Sequence, residues 1–123
     1  MTRTTSVEHI PLGPGYPAPD ISAQIIRLAA GQRIVSLSHT FSTVNGQFGL
    51  SVLLVTENPP QFGDQLVSIR HLPSLPFQPL RIADEIGRIA GDQRIIAASH
   101  TFDTVNGVYG ANVIVISEPW PAA

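Results

Sequence analysis

Four histidines are the side chains best suited to chemistry in this chain of 123 residues, and they come in two pairs. His39 and His100 lie in nearly identical stretches, SHTFSTVNG at 38–46 and SHTFDTVNG at 99–107. His9 and His71 lie upstream, in VEHIPL and IRHLPS. Imidazole rings bind metals, shuttle protons and contact anions, so paired rings predict a shared site if the two copies meet.

The functional hypothesis places a small ligand between equivalent positions of the two copies. The predicted ligand contacts are His39, His100, Thr40, Thr101, Arg33 and Arg94, and the predicted metal ligands are His9 and His71. The sequence specifies no cofactor.

The competing interpretation is structural, and we prefer it for His39 and His100. A histidine on an apolar strand face is more often packed, with a ring nitrogen bonded to a backbone or hydroxyl group. A duplicated segment inherits its core histidines, so the second occurrence is not independent evidence. Cross-strand ion pairs with Glu57 and Glu118 are the plain interpretation of Arg33 and Arg94.

An internal duplication explains why the pairs exist. Residues 27–57 and 88–118 share 16 identities in 31 positions at a constant shift of 61, and the match between His9 and His71 needs a shift of 62. The chain is therefore predicted to be one domain built from two repeats, at about 4–60 and 65–121.

Each repeat has the same order of local signals. A short strand ends in a loop rich in Pro and Gly, and an amphipathic helix follows, with Ile21, Ile25 and Leu28 on one face in the first copy. A β-hairpin comes next, because Asn45 and Gly46 favour a type I′ turn. Asn106-Gly107 predicts the same turn in the second copy.

The hairpin register places the histidines on an apolar face. With Asn45 and Gly46 in the turn, His39 pairs with Val52, and by the same logic His100 pairs with Val113. One predicted face is Val35, Leu37, His39, Phe41, Leu50, Val52 and Leu54. The opposite face includes Ile34, Leu53 and Val55, with Ile95, Ile114 and Ile116 in the second copy, and it is too aliphatic to remain in water.

These signals predict an α+β fold. The third strand of each copy is apolar on both sides and belongs between the first two. The fold class is a tandem β-α-β-β repeat with two helices, a pseudo-twofold axis and six mainly antiparallel strands in one continuous or closed sheet system. Two helices cannot cover both faces of six strands, so we expect a homo-oligomer.

Two resemblances accompany this pattern. LAAGQRIVS at the helix-to-strand junction, with Leu28, Gly31, Ile34 and Val35, resembles a family of short bacterial β-α-β-β domains without an assigned activity. That resemblance implies the fold alone. The paired arrangement with His9 and His71 on first strands also resembles metal enzymes of the vicinal-oxygen-chelate type, which implies a metal site there.

Composition narrows the function classes. The net charge is −2, Lys is absent and the seven Arg are scattered, so we expect no nucleic-acid partner. No apolar run approaches membrane-spanning length and no signal peptide is apparent, so we expect no membrane partner and a cytoplasmic location. The absence of Cys excludes thiolate chemistry.

Three functions follow as hypotheses. The favoured one is a non-catalytic module that binds a small ligand, or assembles, through a pseudo-symmetric cleft or an oligomer interface. The first alternative is a small enzyme that uses the paired histidines as metal or acid-base groups. The second alternative is an accessory subunit that docks on a larger protein partner, with Trp120 either as its anchor or, as we prefer, as a cap on the core.

Overall fold

The computed structural model describes residues 3–11, 18–59, 61–73, 79–105 and 107–121. The first repeat comprises β1 (Arg3–Pro11), α1 (Ala18–Ala29), β2 (Arg33–Val44) and β3 (Gln47–Glu57). The second comprises β4 (Leu66–Pro73), α2 (Pro79–Ala90), β5 (Arg94–Val105) and β6 (Val108–Glu118). The expected β-α-β-β order is confirmed in both halves.

The two helices form where the predicted apolar face lies. Ile21 and Ile25 are fully buried on α1, and the equivalent α2 buries Ile82. Both helices end with backbone in the left-handed region, at Ala30 (φ 53°) and at Gly91 (φ 60°). A left-handed residue after the last turn lets the final carbonyls bond back to the chain, so each helix stops there.

The hairpin turns fix the strand register. Asn45 and Gly46 have φ values of 52° and 80°, as a type I′ turn requires. His39 pairs with Val52 and His100 with Val113, so both predicted registers are confirmed. Asn106 lies outside the described residues.

A β-bulge corrects the predicted face at the start of β2. Ile34 pairs with Thr56 and Ser36 with Val55, so Val35 is the extra residue between them. Ile34 therefore joins the buried face, with 2% exposure, instead of the opposite face. A bulge inserts one residue into an alternating strand and shifts its phase, which periodicity alone does not reveal. The second copy has the same bulge between Ile95 and Ala97.

The six strands form two three-stranded antiparallel sheets, not one continuous or closed sheet. Their orders are β1-β3-β2 and β4-β6-β5, so the third strand of each repeat is central, as predicted. β2 and β5, the edge strands, lie beside one another without a hydrogen-bonded ladder. We call this line of contact, β2 residues 33–44 against β5 residues 94–105, the seam.

The two helices differ in whether they pack on their own repeat or on the other one. α1 packs mainly on β4 of the second repeat, whereas α2 packs on β6 of its own repeat. The main core consequently joins both halves and includes Ile21, Ile25, Leu50, Ile114 and Ile116. A smaller cluster joins Ile82 and Ala111 under α2. The repeats share one fold, but their contacts with each other are not symmetric.

Candidate functional site

The His39 ring lies at the seam and is held by two residues of the second repeat. Its Nδ1 lies 2.6 Å from Ser99 Oγ, and its Nε2 lies 2.9 Å from Asn112 Oδ1. The backbone N–H of His39 also donates to Ser99 Oγ, at 2.9 Å. These bonds fit one neutral tautomer, in which Ser99 donates to Nδ1 and Nε2–H donates to Asn112. The second repeat thereby satisfies every polar atom of this ring.

Burial keeps the His39 ring neutral. Only 6% of the residue is exposed. Removal from water lowers the pKa of His39 to about 4, against a weaker raising effect of the Asn112 bond and a further lowering by the nearby His100. His39 is therefore uncharged at neutral pH.

The series Ser99, His39, Asn112 contains the hydroxyl, imidazole and amide groups used in nucleophilic catalysis. Two observations favour a structural role instead. A base with a pKa of about 4 is poorly matched to proton abstraction near pH 7. Ser99 Oγ already accepts the backbone N–H of His39, which holds it within the seam.

The other predicted residues near the seam are placed differently. His100 is exposed, and its ring meets Phe102 edge-on at a centroid distance of 6.0 Å. Thr40 is exposed and Thr101 is half-buried. His100 therefore does not share the buried environment of its equivalent, His39.

His9 and His71 occupy equivalent positions and make an equivalent contact through Nε2. Nε2 of His9 donates to the carbonyl of Gln47 at 3.1 Å, and Nε2 of His71 donates to that of Val108 at 2.9 Å. Each ring thus ties the first strand of its repeat to the start of the third. Across the described part of the chain, no group of three or more His, Asp or Glu lies close enough together to hold a metal ion. The metal assignment of His9 and His71 stays a prediction.

Arg33 and Arg94 line one cleft of about 720 Å³ at the end of the seam where β2 and β5 begin. Glu118 lies with them, and the remaining wall comes from the segment between the repeats and from the C-terminal segment: Pro59, Gln61, Phe62, Gly63, Pro119 and Pro121. Among the six predicted ligand contacts, only these two arginines line this cleft.

The ion pairing in this cleft corrects the expected pattern. Arg33 aligns with Glu57 in the strand register, yet its guanidinium binds Glu118 of the other repeat, with Nε 3.2 Å from both carboxylate oxygens. Gln65 Nε2 donates to the same carboxylate at 3.3 Å. The guanidinium of Arg94, which faces Glu118 in the register, makes no hydrogen bond among the described residues.

The charges of this cleft are fixed around neutral pH. The bond from Arg33 lowers the pKa of Glu118 despite its burial, with Gln65 and the charge of Arg94 adding to the effect. The same bond raises the pKa of Arg33. Two cations and one anion line the cleft, the charge of Glu57 also acts on Arg33, and Arg94 is the group with spare donors.

Three residues that complete these two sites, Asn112, Gln65 and Phe62, were not predicted from the sequence. Asn112 carried a signal, because it is a polar residue in a strand predicted to be buried on both faces. Gln65 and Phe62 carried none, since they lie between the repeats without a motif. Glu118 was identified, but with the wrong partner. Trp120, which we preferred as a core cap, is 66% exposed.

The comparisons with known proteins add no identification. No family model matches the sequence, and no curated protein or solved structure matches the chain. Within the described ranges, no helix is long and apolar enough to cross a membrane. The resemblance to short bacterial β-α-β-β domains stays a prediction.

Proposed function

We propose that this protein is a non-catalytic module that binds a small organic carboxylate in the cleft between Arg33 and Arg94. The observation that carries the proposal is that the two guanidiniums differ in their hydrogen bonding. The Arg33 guanidinium is held by Glu118, whereas that of Arg94 has no hydrogen-bonded partner in the described part of the chain. A guanidinium with free donors suits a carboxylate, because its planar fork matches the two oxygens.

The rest of the wall supports an apolar body attached to that carboxylate. Phe62 is 38% exposed in the cleft, and Pro59, Pro119 and Pro121 lie around it. The volume of about 720 Å³ lies within the range of roughly 300–1,000 Å³ typical of small-molecule sites. An aromatic or cyclic acid therefore satisfies both the charge and the shape of the cleft.

The test is a titration with benzoate, followed by the fluorescence of Trp120. This residue is the sole tryptophan, and both of its neighbours in the chain line the cleft. We expect saturable binding of benzoate and none of benzamide, which has the same shape without the charge. Arg94→Gln is expected to weaken benzoate binding at least about tenfold, and Arg94→Lys to restore part of it.

The matched control is Arg81→Gln, an exposed arginine on α2 outside the cleft. Its affinity for benzoate should equal that of the unaltered protein. Equal binding of benzoate and benzamide, or an Arg94→Gln variant that binds benzoate normally, would refute the proposal.

A further inference from the structure

The first sheet has an exposed face whose equivalent in the second sheet is buried. This outer face consists of Val7, Ser38, Thr40, Ser51 and Leu53, which the register places side by side. A shallow cleft of about 150 Å³ lies along it. Val7 is 74% exposed and Leu53 42% exposed. These five side chains are apolar or carry hydroxyl groups, and the His9 ring lies beside Ser51 on the same face, with its Nδ1 3.3 Å from Ser51 Oγ.

The equivalent face of the second sheet shows which elements of the chain can cover a face of this kind. The equivalents of Val7, Ser51 and Leu53 are Ile69, Asn112 and Ile114, which are 8%, 0% and 0% exposed. They are covered from within the chain. Ile21 and Ile25 of α1 pack with Ile69 and Ile114, and the His39 ring bonds Asn112 and Ser99. The apolar face of the helix and the hairpin histidine of the first repeat therefore cover this face of the second repeat.

The second repeat carries the same covering elements, and they are only partly used. α2 has the same apolar face as α1, but Ile86 is half-buried where its equivalent, Ile25, is fully buried. His100, the equivalent of His39, is exposed. α2 packs mainly on β6 of its own repeat and leaves the outer face of the first sheet bare.

We infer that the outer face is covered by α2 and the His100 hairpin of a second copy of this chain. The contact repeats between chains the contact that α1 and His39 make within one chain. In it, the His100 ring of the second copy meets Ser38 and Ser51 of the first, as His39 meets Ser99 and Asn112. Because each chain has one bare face and one spare set of covering elements, a reciprocal contact closes a dimer.

A second copy fits this face better than another protein does, since the complementary surface is already encoded in the chain. One charged pair of α2 is also compatible with it. Arg88 is paired with Glu85 on the helix itself, so docking on an uncharged face leaves that pair intact. The inference does not depend on ligand binding at Arg94.

The experiment measures the mass of the full chain in solution by sedimentation equilibrium, up to about 500 μM so that weak association is detected. We expect about twice the single-chain mass of 13.2 kDa at the upper end. Leu53→Arg should give the single-chain mass at every concentration, and its melting temperature should be unchanged where the unaltered protein is also a single chain, because Leu53 is partly exposed. His100→Ala should weaken the dimer.

The matched control is Ile26→Arg, which alters an isoleucine on α1 that is 51% exposed and lines a different cleft, with Phe62 and Gln65. This variant should dimerise like the unaltered chain. A single-chain mass throughout for the unaltered protein, a mass above two chains, or a dimer that survives Leu53→Arg would overturn the inference. Melting temperatures of all variants separate loss of association from loss of folding.

Discussion

His39 and His100 lie in the same four-residue stretch, SHTF, with the same register, yet their surroundings are opposite. His39 is 6% exposed and bonded to Ser99 and Asn112, whereas His100 is exposed beside Phe102. The difference arises because α1 and β2 lie against the second repeat, while α2 remains on its own sheet. Equal sequences thus take unequal roles when the packing between the halves is asymmetric.

The same division holds for the arginines. Arg33 is bound to Glu118 and serves the contact between the repeats. Arg94 has spare donors and faces a cleft. In both pairs, the first copy holds the fold together and the second remains available. This is the pattern on which the proposed ligand contact and the proposed dimer contact both rest.

The largest effect is expected from shortening equivalent isoleucines on the apolar faces of the two helices. Ile25→Ala removes a fully buried side chain from the core that joins both halves, and we expect a loss of about 2–5 kcal/mol in the free energy of unfolding. The identical change at the equivalent Ile86, which is half-buried, should cost less than half as much. Urea denaturation of the two variants measures the difference, and equal losses would break the comparison.

The next largest effect is a loss of folding stability as the pH falls. The pKa of His39 is about 4 in the folded chain and near 6.5 when unfolded, so between these values only the unfolded chain binds the proton. The contribution of neutral His39 to stability is therefore complete above pH 6.5 and declines as the pH falls towards 4. The full loss is on the order of 3 kcal/mol.

This acid effect belongs to one histidine of the pair. His39→Gln should lower stability at neutral pH by about 1–3 kcal/mol and flatten the decline between pH 6.5 and 4. His100→Gln should leave that decline in place. Urea midpoints measured across this pH range check both variants. If the decline persists in His39→Gln, a group other than His39 causes it.

The smallest effect distinguishes the arginines. Arg33→Gln deprives the buried Glu118 carboxylate of its charged partner, and we expect a loss of about 1–3 kcal/mol. Arg94→Gln should change stability by no more than about 0.5 kcal/mol, because no hydrogen bond within the described chain is lost. Thermal unfolding of the two variants in parallel gives the answer, and a larger loss for Arg94→Gln would reverse the assignment.

Local chemistry explains which features the sequence predicted. Asn45 and Gly46 determine a two-residue turn, and that turn determines the register of every pair as far as Leu37 and Leu54. The central position of β3 followed from its apolar residues on both faces. These features depend on neighbours within a few residues or on one hairpin.

The features that the sequence did not predict depend on how the halves meet. The bulge at Val35, the pairing of Arg33 with Glu118 and the contact of His39 with Asn112 all involve the second repeat or the phase of a strand. A near-perfect repeat favours symmetric expectations, because its residues are alike in both copies. Only the packing of α1 across the second sheet reveals which copy of each residue is buried.

The most direct test of this division is a pH titration of the histidine rings by nitrogen-resolved NMR on the unaltered protein. We predict that His39 retains the neutral Nε2–H tautomer down to about pH 4, with Nδ1 as the acceptor of the Ser99 hydroxyl proton. A His39 ring that gains its proton near pH 6.5, or that carries its proton on Nδ1 at neutral pH, would contradict the account.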